Sequence, residues 1–141
     1  MNKNIKSVIV MLSTDALESI RHFCSQKPNI VAAYLFGSQA TGRDRQKSDI
    51  DLALLVRKAL DPMERIDMET ALSNILGRDV DLIVFDQVSP LLQHQILKYG
   101  RLIFEADQSE RVRQEVWARR AYLDSAFLYR KLNRDVVHGR H

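Results

Sequence analysis

Between Asp49 and Phe85 the chain reads strand, helix, strand, and that order limits the folds open to it. The helix is marked at both ends: Asp61 and Glu64 make a capping-box pattern around Pro62, at the first helical position, and Gly77 closes the segment. Met68, Ala71, Leu72, Ile75 and Leu76 recur at helical spacing between those marks. On either side lie short apolar runs, residues 50 to 56 and 80 to 85, each opening on acids. A connection of this length, built on a helix, lets the two strands run parallel in one sheet.

The alternation continues outward. Strand-like runs fall at residues 30 to 36 and 101 to 105, and Asp15 with Glu18 and Asp107 with Glu110 repeat the capping-box pattern. These predict helices over about residues 14 to 26, ended before Pro28, and from about 109 to 131. A shorter helix is predicted over 90 to 99, between Ser89 as cap and Gly100 as stop. The fold class is α/β (α+β), a mixed sheet of about four strands flanked by helices, with a long C-terminal helix. That helix carries Val112, Val116, Leu123 and Phe127 on one side, and Trp117, Tyr122 and Tyr129 on others.

At 141 residues and 45% hydrophobic content, one domain spanning 1 to 141 is expected, its core at about 14 to 105. That leaves room for one core and one site. The net charge of +3 lies wholly in the last 41 residues, where nine basic side chains face six acidic ones. So small a surplus argues against direct nucleic-acid binding. The lone Cys24 excludes a disulfide framework and suits a reducing, cytoplasmic setting. No apolar run approaches a membrane span, and the apolar patch at residues 8 to 12 is too short for a signal peptide.

The stretch that carries chemistry is GSQATGRDRQKSDIDL, residues 37 to 52. With period two, Ile50, Leu52, Leu54 and Val56 face one way, while Asp49, Asp51, Ala53 and Leu55 face the other. The second face thus opens with two carboxylates about 7 Å apart along the strand. Two like charges at the edge of a core repel each other and lose hydration, which a divalent cation offsets. Mg²⁺ takes hard oxygen ligands from one or two carboxylates and completes its shell with water and phosphate. A third carboxylate is expected from the neighbouring parallel strand: Asp81, flanked by Val80 and Leu82, is preferred over Asp79, which shares its parity.

Gly37 ends the preceding strand, where the lack of a side chain lets a phosphate approach the backbone, and Ser38 adds a hydroxyl donor. A phosphate cradle, three carboxylates and two Mg²⁺ ions describe in-line phosphoryl or nucleotidyl transfer. A P-loop is excluded because Arg43-Asp44 stands where Lys-Ser/Thr is required, and no Rossmann GxGxxG occurs. Chance would place GSx10DxD in about one chain of this length in 500. No histidine is needed as base: His22 and His94 read as surface helix positions, and His138 and His141 as tail residues.

Gly37-Ser38, the ten-residue spacer and Asp49-x-Asp51 resemble the GSx10DxD signature of the polymerase-β-type nucleotidyltransferase superfamily. At this length the chain is similar to its minimal nucleotidyltransferases, the MNT antitoxins paired with HEPN ribonuclease toxins in prokaryotes. The resemblance implies a nucleotidyltransferase fold, ATP as substrate with its triphosphate on Gly37 and Ser38, and Mg²⁺ held by Asp49, Asp51 and Asp81. Many relatives have Arg where Thr41 stands, and Arg43, Arg45 and Lys47 are candidates to replace that phosphate contact.

The implied reaction is transfer of AMP from ATP to a hydroxyl, a tyrosine's, of a HEPN-type toxin encoded by a neighbouring gene, which neutralises it. The size of the chain fits, since an acceptor that brings its own binding surface needs no second domain. The final helix is one candidate docking surface. Two alternatives stand beside this reading: an antitoxin that inhibits by binding alone, and a nucleotidyltransferase acting on RNA or a small molecule.

Overall fold

Helix capping in the computed structural model follows the marks in the sequence fully at one of the three predicted capping boxes, by half at a second, and not at the third. The structure describes residues 13 to 37 and 50 to 137. Helix α1 spans Thr14–Ser25, β1 Ile30–Phe36, β2 Ile50–Val56, α2 Pro62–Leu76 and β3 Val80–Val84. A 3₁₀ turn, Phe85–Gln87, leads to α3, Pro90–Tyr99; β4, Arg101–Glu105, and α4, Gln108–Val137, complete the order.

At α2 the capping box is complete. Asp61 Oδ1 accepts from Glu64 N at 2.9 Å and Glu64 Oε1 accepts from Asp61 N at 3.1 Å. Gly77 stops the helix in the left-handed region at φ 66°, which glycine alone adopts without a steric cost. At α3, Ser89 Oγ accepts from Leu92 N at 3.2 Å. At α4 only half of the box forms: Asp107 Oδ1 takes Glu110 N at 3.1 Å, while the Glu110 carboxylate turns to Arg113 and Gln114. The cap of α1 is Ser13, whose Oγ accepts from Ala16 N at 3.0 Å, and not Asp15. Asp15 lies inside the first turn, where its charge complements the helix dipole.

The sheet order is β3-β2-β1-β4, with β2 and β3 parallel and the other pairs antiparallel. Side chains of β2 divide as the alternation requires. Ile50, Leu52, Leu54 and Val56 join Ile20, Phe23, Met68 and Leu72 under α1 and α2. Ala53 and Leu55 join Tyr34, Phe36, Phe85, Ile96 and Ala118 under α3 and α4. The central strands β1 and β2 are buried from end to end, and the described residues form a three-layer α/β sandwich, the mixed sheet lying between α1 and α2 on one side and α3 and α4 on the other.

Helix α4 runs to Val137, six residues beyond the predicted end, and presents a different face to the sheet than its apolar stripe suggests. Among its described side chains Glu115 and Ala118 are buried, with Arg111, Gln114, Ala121 and Tyr122 half-buried around them. Polar bonds secure this face. The Tyr34 hydroxyl donates to Glu115, Arg111 Nη1 donates to the same carboxylate at 2.8 Å, and Gln114 donates to the Val56 carbonyl at 2.9 Å. Val112, Val116, Leu123 and Phe127 face outward.

Candidate active site

Asp51 is the second residue of β2 and only 4% exposed. Its register partner on one side is Phe36, the last residue of β1; on the other it is Asp81 of β3. Directly paired residues share a face, so Asp81, Asp51 and Phe36 form a row across three strands on the side covered by α3 and α4. Adjacent strands lie about 4.8 Å apart, which brings the two carboxylates within reach of one cation. Gly37, itself buried, follows Phe36 at the same edge of the sheet.

Asp79 and Asp81, the two candidates the sequence offers, are placed differently by this register. Asp79 precedes β3 and is exposed, and its carbonyl accepts from Ile50 N at 3.1 Å. Asp81 is half-buried and in line with Asp51. The structure therefore brings together Gly37, Asp51 and Asp81. Ser38 and Asp49 lie outside the described residues, as do Thr41, Arg43, Arg45, Lys47, His138 and His141.

Among the described residues no group of three His, Cys, Asp or Glu side chains converges for a metal. The Asp51-Asp81 pair fits Mg²⁺ all the same. It offers two hard oxygen donors on adjacent strands, one deeply buried and one open enough for water or substrate oxygens. Zinc chemistry is a poorer match, since it draws on Cys and His. Cys24 is buried in the opposite layer, and burial pushes its thiol up to about 12, which suits core packing and not nucleophilic chemistry.

A cleft of about 320 Å³ opens at the other end of β2 and β3, lined by Val56, Arg57, Phe85, Asp86, Gln93 and Trp117 among others. Its polar lining is largely engaged within the protein: Arg57 pairs with Asp107 at 2.8 Å and Gln93 donates to the Phe85 carbonyl at 2.7 Å. It is separated from Asp51 by the length of β2.

His22 is exposed, as expected, but His94 is half-buried and stacks on Tyr122 with ring centroids 3.9 Å apart, joining α3 to α4. Tyr122 is thus a packing residue, whereas Trp117 and Tyr129 are exposed. No helix among the described residues is long and apolar enough to cross a membrane.

One group of residues near Asp81 escaped the sequence reading. Ser73, Glu69 and Arg65 of α2 bond to the backbone of Val80 and Leu82, on either side of Asp81. Their only signal is a spacing of four along a helix, which by itself marks a common face.

Residues 18–109 match the family described as Polymerase beta, Nucleotidyltransferase. The chain is 32% identical over 83 residues to Protein adenylyltransferase MntA of Shewanella oneidensis, a stretch that is 59% of this chain and 60% of that relative. The matched stretch is therefore less than two thirds of the relative's length. A crystal structure of a toxin-antitoxin with AMP-PNP superposes with a TM-score of 0.68 at 26% identity, covering 86% of this chain and 98% of that one. The MNT antitoxin in complex with tri-AMPylated Shewanella oneidensis HEPN toxin superposes with a TM-score of 0.70 at 24% identity, covering 89% and 99%, and at that identity shows the fold alone.

Proposed function

The chain belongs to the polymerase beta nucleotidyltransferase family, and from that premise we propose that it is a Mg²⁺-dependent protein adenylyltransferase acting as an antitoxin. It transfers AMP from ATP to a hydroxyl, a tyrosine's, of a cognate HEPN-type toxin encoded by a neighbouring gene, in the cytoplasm. The observation that carries this reading is the in-register pair Asp51 and Asp81 at the sheet edge where Gly37 leaves β1. The names of the relatives supply the reaction: a protein adenylyltransferase, a toxin-antitoxin with AMP-PNP, and an AMPylated toxin.

Gly37 lets the triphosphate approach the backbone, and Ser38 donates its hydroxyl to a phosphate oxygen. Asp51 and Asp81, with Asp49, would hold the divalent ions, which when bound would offset negative charge on the triphosphate and favour the deprotonated form of the acceptor hydroxyl. The burial of Asp51 and the parallel register that sets Asp81 beside it support a donor pair arranged before substrate arrives. The acceptor oxygen bonds to the α-phosphorus in line, the bond to the bridging oxygen breaks, and pyrophosphate leaves with that electron pair while the hydroxyl proton is released. The exposed apolar face of α4, with Leu123 and Phe127, is where the toxin docks in this reading.

Co-expression with the neighbouring toxin and intact mass analysis tests the proposal. The toxin should gain about 329 Da per AMP, and Asp49→Asn with Asp51→Asn should abolish the gain while the protein stays folded. Undiminished transfer by that double variant would sink the mechanism. A toxin neutralised yet unmodified would favour inhibition by binding alone.

A further inference from the structure

β3 is an edge strand. Its inner side pairs with β2, and among the described residues the backbone groups on its outer side have no strand to meet. Side chains of α2 take that place. Val80 N donates to Ser73 Oγ at 3.1 Å, Leu82 N donates to Glu69 Oε2 at 2.8 Å, and Leu82 O accepts from Arg65 Nη1 at 3.0 Å. Arg65 and Glu69 also pair with each other at 3.4 Å. The three residues stand four apart on one stripe of the helix, so together they imitate an additional strand.

The bonds fall on the two neighbours of Asp81. A strand held on one side only is free to fray or slip, and a slip of one residue would turn Asp81 to the opposite face of the sheet. We propose that Arg65, Glu69 and Ser73 are positioning residues that hold Asp81 level with Asp51, and so set the geometry of the ion site. This rests on the reading of Asp81 as an ion-holding carboxylate. Arg65 and Glu69 are half-buried and hydrogen-bond to the Leu82 backbone and to each other, so the effect proposed for them passes through the strand that carries Asp81.

The test uses the full chain and Mn²⁺ as the probe. Line broadening of the Asp51 and Asp81 amide signals gives the affinity, amide exchange at Leu82 reports the strand edge, and a urea midpoint reports global stability. Glu69→Ala should weaken Mn²⁺ binding about 10- to 100-fold, the range for groups that orient metal ligands, and should speed exchange at Leu82 more than elsewhere in β3. Glu69→Gln keeps an acceptor oxygen and should restore Mn²⁺ affinity to near the original value. Ser73→Ala, a milder change, should move both readouts the same way even if Glu69→Ala does not fold. Asp81→Asn separates the two claims. If it leaves Mn²⁺ binding unchanged, Asp81 holds no ion and the reading beneath the proposal fails. If it weakens binding while Glu69→Ala and Ser73→Ala do not, α2 merely covers the edge and the positioning role is overturned.

Discussion

Asp51 and Asp81 stand opposite each other across the parallel strand pair β2-β3, on the same face. A ligand that binds the folded form at this pair must stabilise that form, by about 2.7 kcal/mol at one hundred times its dissociation constant. Adding Mg²⁺ with a non-hydrolysable ATP analogue should therefore raise the thermal midpoint of the protein. With Asp51→Asn or Asp81→Asn that rise should disappear. Differential scanning calorimetry checks this, and an equal rise in all three proteins would place the ions elsewhere.

Much of this site was legible in the residues, for an identifiable reason. The alternation of Asp51, Ala53 and Leu55 against Leu52, Leu54 and Val56 assigns a face, and the helix between the two acid-headed strands makes them parallel. Together these predict the neighbouring carboxylate. The cap of α1 was not legible, because Ser13, Thr14 and Asp15 are all capable caps and only the chain's entry path selects among them. The seating of α4 was hidden for a different reason. Its buried face is polar, and the bonds of Glu115, Arg111 and Gln114 to the protein body leave no hydrophobic period to read. The α2 residues beside Asp81 share that difficulty, since their partners are backbone groups.

The toxin docking proposed for α4 bears on the exposed side chains of its outward face. Leu123 is 65% exposed and Phe127 60%, and Arg119, Arg120, Arg130, Lys131 and Arg134 surround them against a single acid, Asp124, between residues 119 and 134. Buried apolar anchors dominate interface energetics. Leu123→Asp with Phe127→Asp should weaken association with the cognate toxin at least about 10-fold, equivalent to about 1.4 kcal/mol. Isothermal titration calorimetry measures the loss, and far-ultraviolet circular dichroism should show an unchanged fold. Wild-type affinity in the double variant would move the interface off this helix.

Tyr34 is the hinge of the α4 attachment. Its hydroxyl meets Glu115 from the central strand, and burial pushes the Glu115 carboxyl above its ordinary range while Arg119 pulls it back. Tyr34→Phe removes a donor and leaves that buried acid short of a partner, at a cost of about 1–3 kcal/mol. A urea titration followed by fluorescence of Trp117 reads the loss. Tyr34→Phe combined with Glu115→Gln should cost less than the two single changes added together, because the two groups act on one bond. Strict additivity would mean that the pair is not coupled.

At the start of α4, Arg113 and Gln114 donate to Glu110 and hold its carboxyl down at about 2, below its ordinary 4.5. A depressed acid of this kind contributes stability that is fully present above its unfolded value and is lost as pH falls through its folded one. Glu110→Gln should therefore lower the urea midpoint at pH 6, and the gap to the unaltered protein should close as pH falls from about 4.5 to about 2. The Arg113 partner is exposed, so screening applies, and about 1 M salt should narrow the pH 6 gap as well. A gap that stayed constant from pH 6 to pH 2 would show that Glu110 acts through packing and not through its charge.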